Sequence, residues 1–194
     1  MANGKVITGY AWPMVAKYNL SGTTVTYSDA RFLARGVDNS IQPDQASDSG
    51  FYADNMRAES DAGVFTGGTL SQTVDGLFPE SETMIMGLPA ATEDGFEYND
   101  DQNIPYVAAG WTTTWQSDGV RTYTANVLYK VKYNQIQKTA RTHGENTEYQ
   151  TQALTARIER SEAAKHPWQW TSVDFDTESE ALAALKTKLG YTEP

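Results

Sequence analysis

Residues 105–133 read PYVAAGWTTTWQSDGVRTYTANVLYKVKY, and this stretch decides the fold class. In residues 123–133 every odd position is apolar or aromatic, whereas most even positions are polar. In residues 107–115 the odd positions carry Val, Ala, Trp, Thr and Trp. A period of two is typical of β-strands, and Ser117-Asp118-Gly119 has the composition of a hairpin turn. The stretch therefore predicts two long antiparallel strands joined near residue 118, the second with one apolar and one mostly polar face.

Segments on both sides of this hairpin also carry strand patterns. They are Met14–Tyr18 and Thr23–Tyr27 around a Ser21-Gly22 turn, Thr69–Asp75, residues 146–160, and a short strand marked by Trp168 and Trp170. Leu70 and Val74 fall on one side of their strand, and a bulge would explain the imperfect alternation in residues 146–160. Together these patterns predict a mainly β fold.

Two helices are predicted beside the strands. Pro79–Gly87 places a proline in the first turn and a glycine at the end, which is typical of a short helix. Thr177 and Glu180 have the spacing of a capping box at the start of a C-terminal helix, residues 177–189. In that helix Leu182, Leu185 and Leu189 form one apolar stripe, which must cover either its own domain or a neighbouring subunit.

Two polar segments are predicted to be loops. Val37–Gly50 is rich in turn-forming residues, and Pro89–Asn103 is rich in acids. Long loops in compact domains are usually functional or mobile, so both segments are candidates for contacts with other molecules.

The length of 194 residues suits one domain with an appendage, and the absence of cysteine excludes disulfides and thiolate chemistry. No run of 18 apolar residues and no basic-then-apolar start is present, so a soluble protein without a classical export signal is expected. The net charge is −10, and residues 38–101 carry fourteen carboxylates against one cation, Arg57. This excess of negative charge argues against a protein that binds nucleic acid tightly.

No enzyme signature stands out, and we expect neither catalytic residues, metal nor cofactor. The two histidines, His143 and His166, lack partners at metal-ligand spacing, and Gly67-Gly68 precedes a strand rather than a helix. Because carboxylates are abundant, a glycosidase-like pair of catalytic acid and base is not excluded. A sugar-stacking surface is an alternative interpretation of two tryptophan pairs, Trp111 with Trp115 and Trp168 with Trp170. Their positions in the predicted strands favour the core instead.

An ordered set of motifs runs through about residues 10–160. It comprises Phe51-Tyr52-Ala53-Asp54-Asn55, Glu59-Ser60-Asp61, Phe65-Thr66-Gly67-Gly68-Thr69-Leu70, Val74-Asp75-Gly76-Leu77, Ser81–Gly87, Ile104-Pro105-Tyr106-Val107-Ala108-Ala109-Gly110-Trp111, Tyr129-Lys130-Val131-Lys132-Tyr133 and Glu148-Tyr149-Gln150-Thr151-Gln152-Ala153-Leu154-Thr155. In this order they resemble the major tail protein family of bacteriophages with long, flexible, non-contractile tails. Ala108-Ala109-Gly110 replaces a more glycine-rich version, and the segment after Arg160 lies outside the resemblance.

The resemblance implies a virion protein that forms hexameric rings, which stack into a hollow tail tube after assembly in the host cytoplasm. The implied partners are further copies of the chain, a tape-measure protein, the tail terminator and distal tail proteins, and DNA in transit. It implies a β domain over residues 1–160, in which two antiparallel sheets pack together as in a sandwich or barrel beside one short helix. Residues 161–194, which lie outside the resemblance, are assigned to a C-terminal arm. In the β domain, a loop of about residues 37–62 would reach the next ring, with Ile41, Phe51 and Tyr52 as apolar anchors.

Elementary physics is compatible with such a tube. Long strands leave unpaired edges, which a closed ring of subunits removes. A lumen lined with carboxylates would repel phosphates, so that DNA slides through it. On the polar side of the long strand, Lys130 and Lys132 would face solvent or acids of the next subunit.

Two alternatives remain at this point. One is another tail ring component, such as a terminator, a baseplate ring or a contractile-tail tube. The other is a carbohydrate-binding or hydrolase module that uses the tryptophan pairs and the acids.

Overall fold

The computed structural model describes residues 4–47, 51–59, 63–142 and 149–193. Its elements are β1 (Val6–Ser21), β2 (Thr24–Phe32), β3 (Gly36–Gln45), β4 (Phe51–Ala53), β5 (Met56–Glu59), β6 (Phe65–Val74), α1 (Pro79–Met86), β7 (Val107–Ser117), β8 (Val120–Tyr133), β9 (Gln152–Glu159), β10 (Gln169–Thr171) and α2 (Glu178–Leu189). The predicted mainly β fold with two helices is confirmed.

Eight strands form one antiparallel sheet in the order β2-β1-β7-β8-β9-β6-β3, and β10 pairs with β8. The sheet does not close, and β4 pairs with β5 as a separate hairpin. The sheet bends over its own core, because Tyr10 on β1 packs against Gly36 on β3 and its hydroxyl accepts a hydrogen bond from Gln72 Nε2 on β6 at 3.2 Å. The fold is therefore sandwich-like, and both layers belong to one hydrogen-bonded sheet.

The main core lies between these layers and beside α1. Its largest members are Val15, Leu33, Leu70, Val74, Ile85, Met86, Val107, Trp111, Leu128, Val131, Tyr133, Leu154 and Ile158. A second, smaller core lies on the opposite side of β7 and β8, where α2 packs through Leu185 and Leu189. Most of β7 and β8 is consequently covered on both faces.

The two hairpins predicted at Ser21-Gly22 and at Ser117-Asp118-Gly119 are confirmed. Both helices are also present, and each ends at a glycine in the left-handed conformation. The capping box of α2 is complete, since Glu180 N donates to Thr177 Oγ1 and Thr177 N donates to the Glu180 carboxylate.

The prediction of a single apolar face along β8 is wrong. A register shift against β7 divides the strand, because Val107 pairs with Val131 whereas Ala109 pairs with Leu128. Such a bulge turns the following side chains toward the other face. Consequently Val127 packs beneath α2, whereas Leu128 and Val131 lie in the main core.

The prediction of a loop over Val37–Gly50 is also wrong in its first part, which forms the edge strand β3. Its polar composition is compatible with an edge, where outward side chains face solvent. Pro43 is tolerated there because the outer side of an edge strand needs no amide donor. The bulge expected in residues 146–160 is absent from β9, which pairs with β6 and β8 in continuous register, and residues 143–148 lie outside the described residues.

Candidate assembly interface

The two ends of the sheet are open. Within the described part of the chain, β2 pairs only with β1 and β3 pairs only with β6, so each has one edge without a neighbouring strand. These edges are nine and ten residues long. Unpaired edges of this length are templates for another strand unless something covers them.

The three predicted ring-stacking residues lie in two different elements. Ile41 is on β3, is half-buried and packs against the main core, so this side chain faces inward. Phe51 and Tyr52 lie on β4, and their side chains are outside the described part of the structure. Their role as anchors stays a prediction.

The hairpin of β4 and β5 stands apart from the main sheet. Asp54 and Asn55 form its turn with φ values of +50° and +60°, a backbone conformation that two-residue hairpins favour. The next residue, Met56, leaves 71% of its surface exposed. An exposed apolar side chain thus lies at the tip of a hairpin that does not pair with the main sheet in the described structure.

Helix α2 packs against its own chain. Leu185 and Leu189 are fully buried, and Leu182 is half-buried against the same cluster. Gly110 on β7 permits the close approach, because a Cβ there would lie 2.6 Å from Leu185 Cδ1. The leucine stripe that the sequence predicted therefore covers the sheet of the same subunit.

An ion cluster around a buried lysine ties the segment after β9 to the sheet. Lys130 on β8 is buried, and its Nζ lies 2.5 Å from Glu162 and 3.3 Å from Glu159. The ring of Tyr106 lies 4.1 Å from the same Nζ, and the Tyr18 hydroxyl donates to Glu162. The prediction that Lys130 faces solvent or another subunit is wrong, because the bulge in β8 turns it inward.

The pKa values of the cluster follow from these contacts. Burial lowers the pKa of Lys130, but the hydrogen bonds that Lys130 donates to Glu162 and Glu159, together with the charges of these carboxylates, outweigh burial and raise the pKa overall. The hydrogen bonds from Lys130 and Tyr18 hold the pKa of Glu162 below its usual value of 4.5. Both shifts favour the charged pair.

An apolar groove of about 420 Å³ opens between β1, the end of β2 and the starts of α1 and α2. Its walls are Tyr10, Trp12, Phe32 and Phe78, and the lining is completed by Ala11, Ala34, Arg35, Gly36 and Glu178. Trp12 adopts a φ of +54° within a register shift of β1, and its Nε1 donates to Glu178 at 2.6 Å. Sequence reasoning missed this groove because a strand pattern does not reveal where a bulge turns a tryptophan outward.

The acidic block of residues 38–101 divides into paired and exposed groups. Asp44 pairs with Arg157, and Glu82 is buried with its Oε1 2.5 Å from Lys138 Nζ. In contrast, the acids of the loop between α1 and β7 are all exposed, namely Glu93, Asp94, Glu97, Asp100 and Asp101. Five of the exposed acids of this block thus lie on one loop.

The tryptophans predicted as pairs pack in different ways. Trp111 is buried in the main core, whereas Trp115 is half-buried and donates to Thr124 at 2.9 Å. Both line one cavity of about 340 Å³. Trp168 stacks on Phe65 with ring centroids 4.4 Å apart, and Trp170 packs in the smaller core with α2. Burial of Trp111 and the separate contacts of Trp168 and Trp170 disfavour two-ring stacking on a sugar.

Within the described residues, no group of three or more His, Asp or Glu side chains is arranged to hold a metal ion. His166 Nδ1 lies 3.1 Å from the Ser161 carbonyl oxygen, and His143 lies outside the described residues. No helix in the described part of the chain has the length and apolarity that a membrane span requires.

No known family model matches this chain, and no curated protein matches its sequence.

Proposed function

We propose that this chain is a structural subunit that polymerises with copies of itself into a hollow tube, in the role of the tail tube protein of a long-tailed bacteriophage. The observation that carries the proposal is the open sheet, whose end strands β2 and β3 each lack a partner on one side in the described structure. A chain that worked as a solitary domain would be expected to cover or shorten these edges.

The two open edges belong to different strands, so a contact between β2 of one copy and β3 of another would be head-to-tail. Contacts of this kind close into a ring when the rotation between subunits permits, and they leave two different ring faces. Stacked rings then form a tube, and six subunits per ring is the number that the family resemblance suggests.

The hairpin of β4 and β5 would link successive rings in this tube. Within the described residues it forms a two-stranded sheet of its own and does not pair with the main sheet. The tape-measure protein, the terminator and distal tail proteins, and DNA in transit complete the proposed set of partners. Exposed acids near the bore would repel the DNA phosphates within a distance of about 8 Å at physiological salt.

The packing of the tryptophans disfavours the carbohydrate-binding alternative, and we propose no enzymatic activity. A terminator or baseplate ring is the closer alternative, since it would use the same ring contacts. A ring component of that kind would form rings that do not stack into long polymers.

Electron microscopy of the purified protein tests the proposal. We expect long hollow polymers of uniform width at high protein concentration. Isolated rings would favour a terminator or baseplate component, and a monomer that never polymerises, alone or with tail proteins, would contradict the proposal.

A further inference from the structure

We infer that the aromatic groove formed by Tyr10, Trp12, Phe32 and Phe78 receives the tip of the β4–β5 hairpin of another copy of this chain. This inference rests on the proposed tube and adds the receiving site to it. The inserted group would be Met56, and Asp54 of the same tip would approach Arg35 in the lining of the groove.

The groove has the properties of a binding site that is empty in the single subunit. Trp12 and Phe78 leave 44% and 54% of their surfaces exposed, respectively. A φ of +54° is strained for a bulky residue such as Trp12, and strained residues of this kind concentrate at binding sites. Large aromatic side chains also supply most of the energy at protein interfaces.

The hairpin has the complementary properties. A two-stranded hairpin is at best marginally stable in water, so a docking partner would add to its stability. Its tip carries the exposed Met56, and methionine sulfur makes favourable contacts with aromatic rings. A groove of about 420 Å³ is within the usual range for binding pockets in proteins.

The positions of the two features suit head-to-tail stacking. Gly36, the first residue of β3, lines the groove, whereas the hairpin follows Gln45, the last residue of β3. A strand of ten residues spans about 33 Å. The β4–β5 hairpin and the groove therefore lie toward opposite ends of β3. A contact between the hairpin of one copy and the groove of the next would repeat along a stack without closing.

Charge at the two features is also complementary. Asp54 is exposed at the tip of the hairpin. The side chain of Arg35 is 90% exposed while its Nε donates to Asp75 at 2.5 Å. A guanidinium group has five donors, so Arg35 retains donors for a second carboxylate.

Disulfide trapping tests this contact, because the chain has no cysteine of its own. The variant carries Met56→Cys together with Phe78→Cys and is oxidised after assembly. We expect a ladder of covalent multimers beyond the dimer on non-reducing gels, and its collapse to monomer on reduction. The matched control carries Met56→Cys with Val173→Cys, since Val173 is 75% exposed but lies outside the groove.

Tubes of the test variant that show no ladder, or the same ladder as the control, would overturn the groove assignment and leave the tube proposal standing. Failure of the unmodified chain to polymerise would overturn both. As a second measurement, Met56→Asp should raise the concentration needed for tube formation tenfold or more, because a buried unpaired carboxylate is costly. Unchanged polymerisation of Met56→Asp would also overturn the inference.

Discussion

Lys130 shows how a single buried charge organises the region between the sheet and the C-terminal segment. Its Nζ is held by Glu159 on β9 and by Glu162 just beyond it, and the Tyr106 ring lies against it. Removing one member of such a cluster leaves its partners without a counter-charge, which is the costly case for buried ions. The cluster therefore anchors the chain where β9 ends and the C-terminal segment begins.

Glu162→Gln should lower the free energy of unfolding at neutral pH by about 1 kcal/mol. The expected loss is modest because the Glu162 side chain is 41% exposed, so that solvent partly screens its charge. The pKa of Glu162 is lower in the folded chain than its usual 4.5, so its contribution is present above that value and is lost as the pH falls through the folded pKa. The difference between variant and wild type should consequently shrink between about pH 6 and about pH 3. Urea unfolding across this range measures it.

The control for this measurement is Glu193→Gln, whose carboxylate is 81% exposed. It should change the stability little at any pH in the range. A Glu162→Gln effect that stays constant with pH would contradict the ionic role of this residue.

Sequence reasoning placed Lys130 on the polar face of a regular strand, and the alternation of residues 123–133 supports that reading locally. The error came from the bulge opposite Val107 and Ala109, which depends on how β7 and β8 pair. The groove around Trp12 was missed for the same reason, since a register shift in β1 turns that residue outward. Both features are set by pairing between strands, which the sequence of one strand does not specify.

At the scale of elements, the apolar face of helix α2 packs against a matching surface on the sheet of its own chain. Its stripe meets β7 at Gly110, where the missing side chain leaves room for Leu185. The cation-bearing last turn also packs over aromatic rings, with Lys188 Nζ 5.1 Å from the centre of the Trp170 ring. The helix is therefore fitted to the sheet of its own subunit.

Leu185→Ala should lower the free energy of unfolding by about 3 kcal/mol, because it removes a fully buried side chain and leaves a cavity. Leu182→Ala, at a half-buried position of the same helix, should lower it by about 1 kcal/mol. Urea unfolding of the two variants compares them directly. Equal losses would contradict the packing of α2 described above.

The β4–β5 hairpin can be removed without disturbing the sheet, because Gln45 and Phe65 are register partners on β3 and β6. Replacing residues 46–64 with a short Gly/Ser turn should leave the free energy of unfolding within about 1 kcal/mol of the wild-type value. The variant should fail to form long tubes. Tubes of normal length would refute the linking role of the hairpin, and an unfolded variant would show that the hairpin region belongs to the folded domain.

The elements that were correctly predicted are those whose own residues carry a pattern typical of a strand, a turn or a helix. The alternation in residues 107–133 predicted two strands, the residues between them predicted a turn, and Thr177 with Glu180 predicted a capping box. The structure contains both strands, the turn and the capping box. Strand β3 carries no such signal, because VDNSIQPDQ has a single apolar side chain after Val37. It forms a strand because β6 supplies an edge for pairing, and this tertiary cause is invisible in the local pattern.

At the scale of the whole molecule, the central feature is a long sheet that bends over its core without closing. Its end strands offer backbone donors and acceptors along nine and ten residues. The separate hairpin and the aromatic groove lie toward opposite ends of β3. In the proposed tube, the sheet edges would connect subunits within a ring, and the hairpin would connect one ring to the next.

Cryo-electron microscopy of the assembled protein at a resolution that separates strands tests this account most directly. We predict a tube in which β2 and β3 each gain a neighbouring subunit along their open edges, around a continuous central channel. Particles that remain single subunits under all assembly conditions, or polymers in which both edges still face solvent, would contradict it.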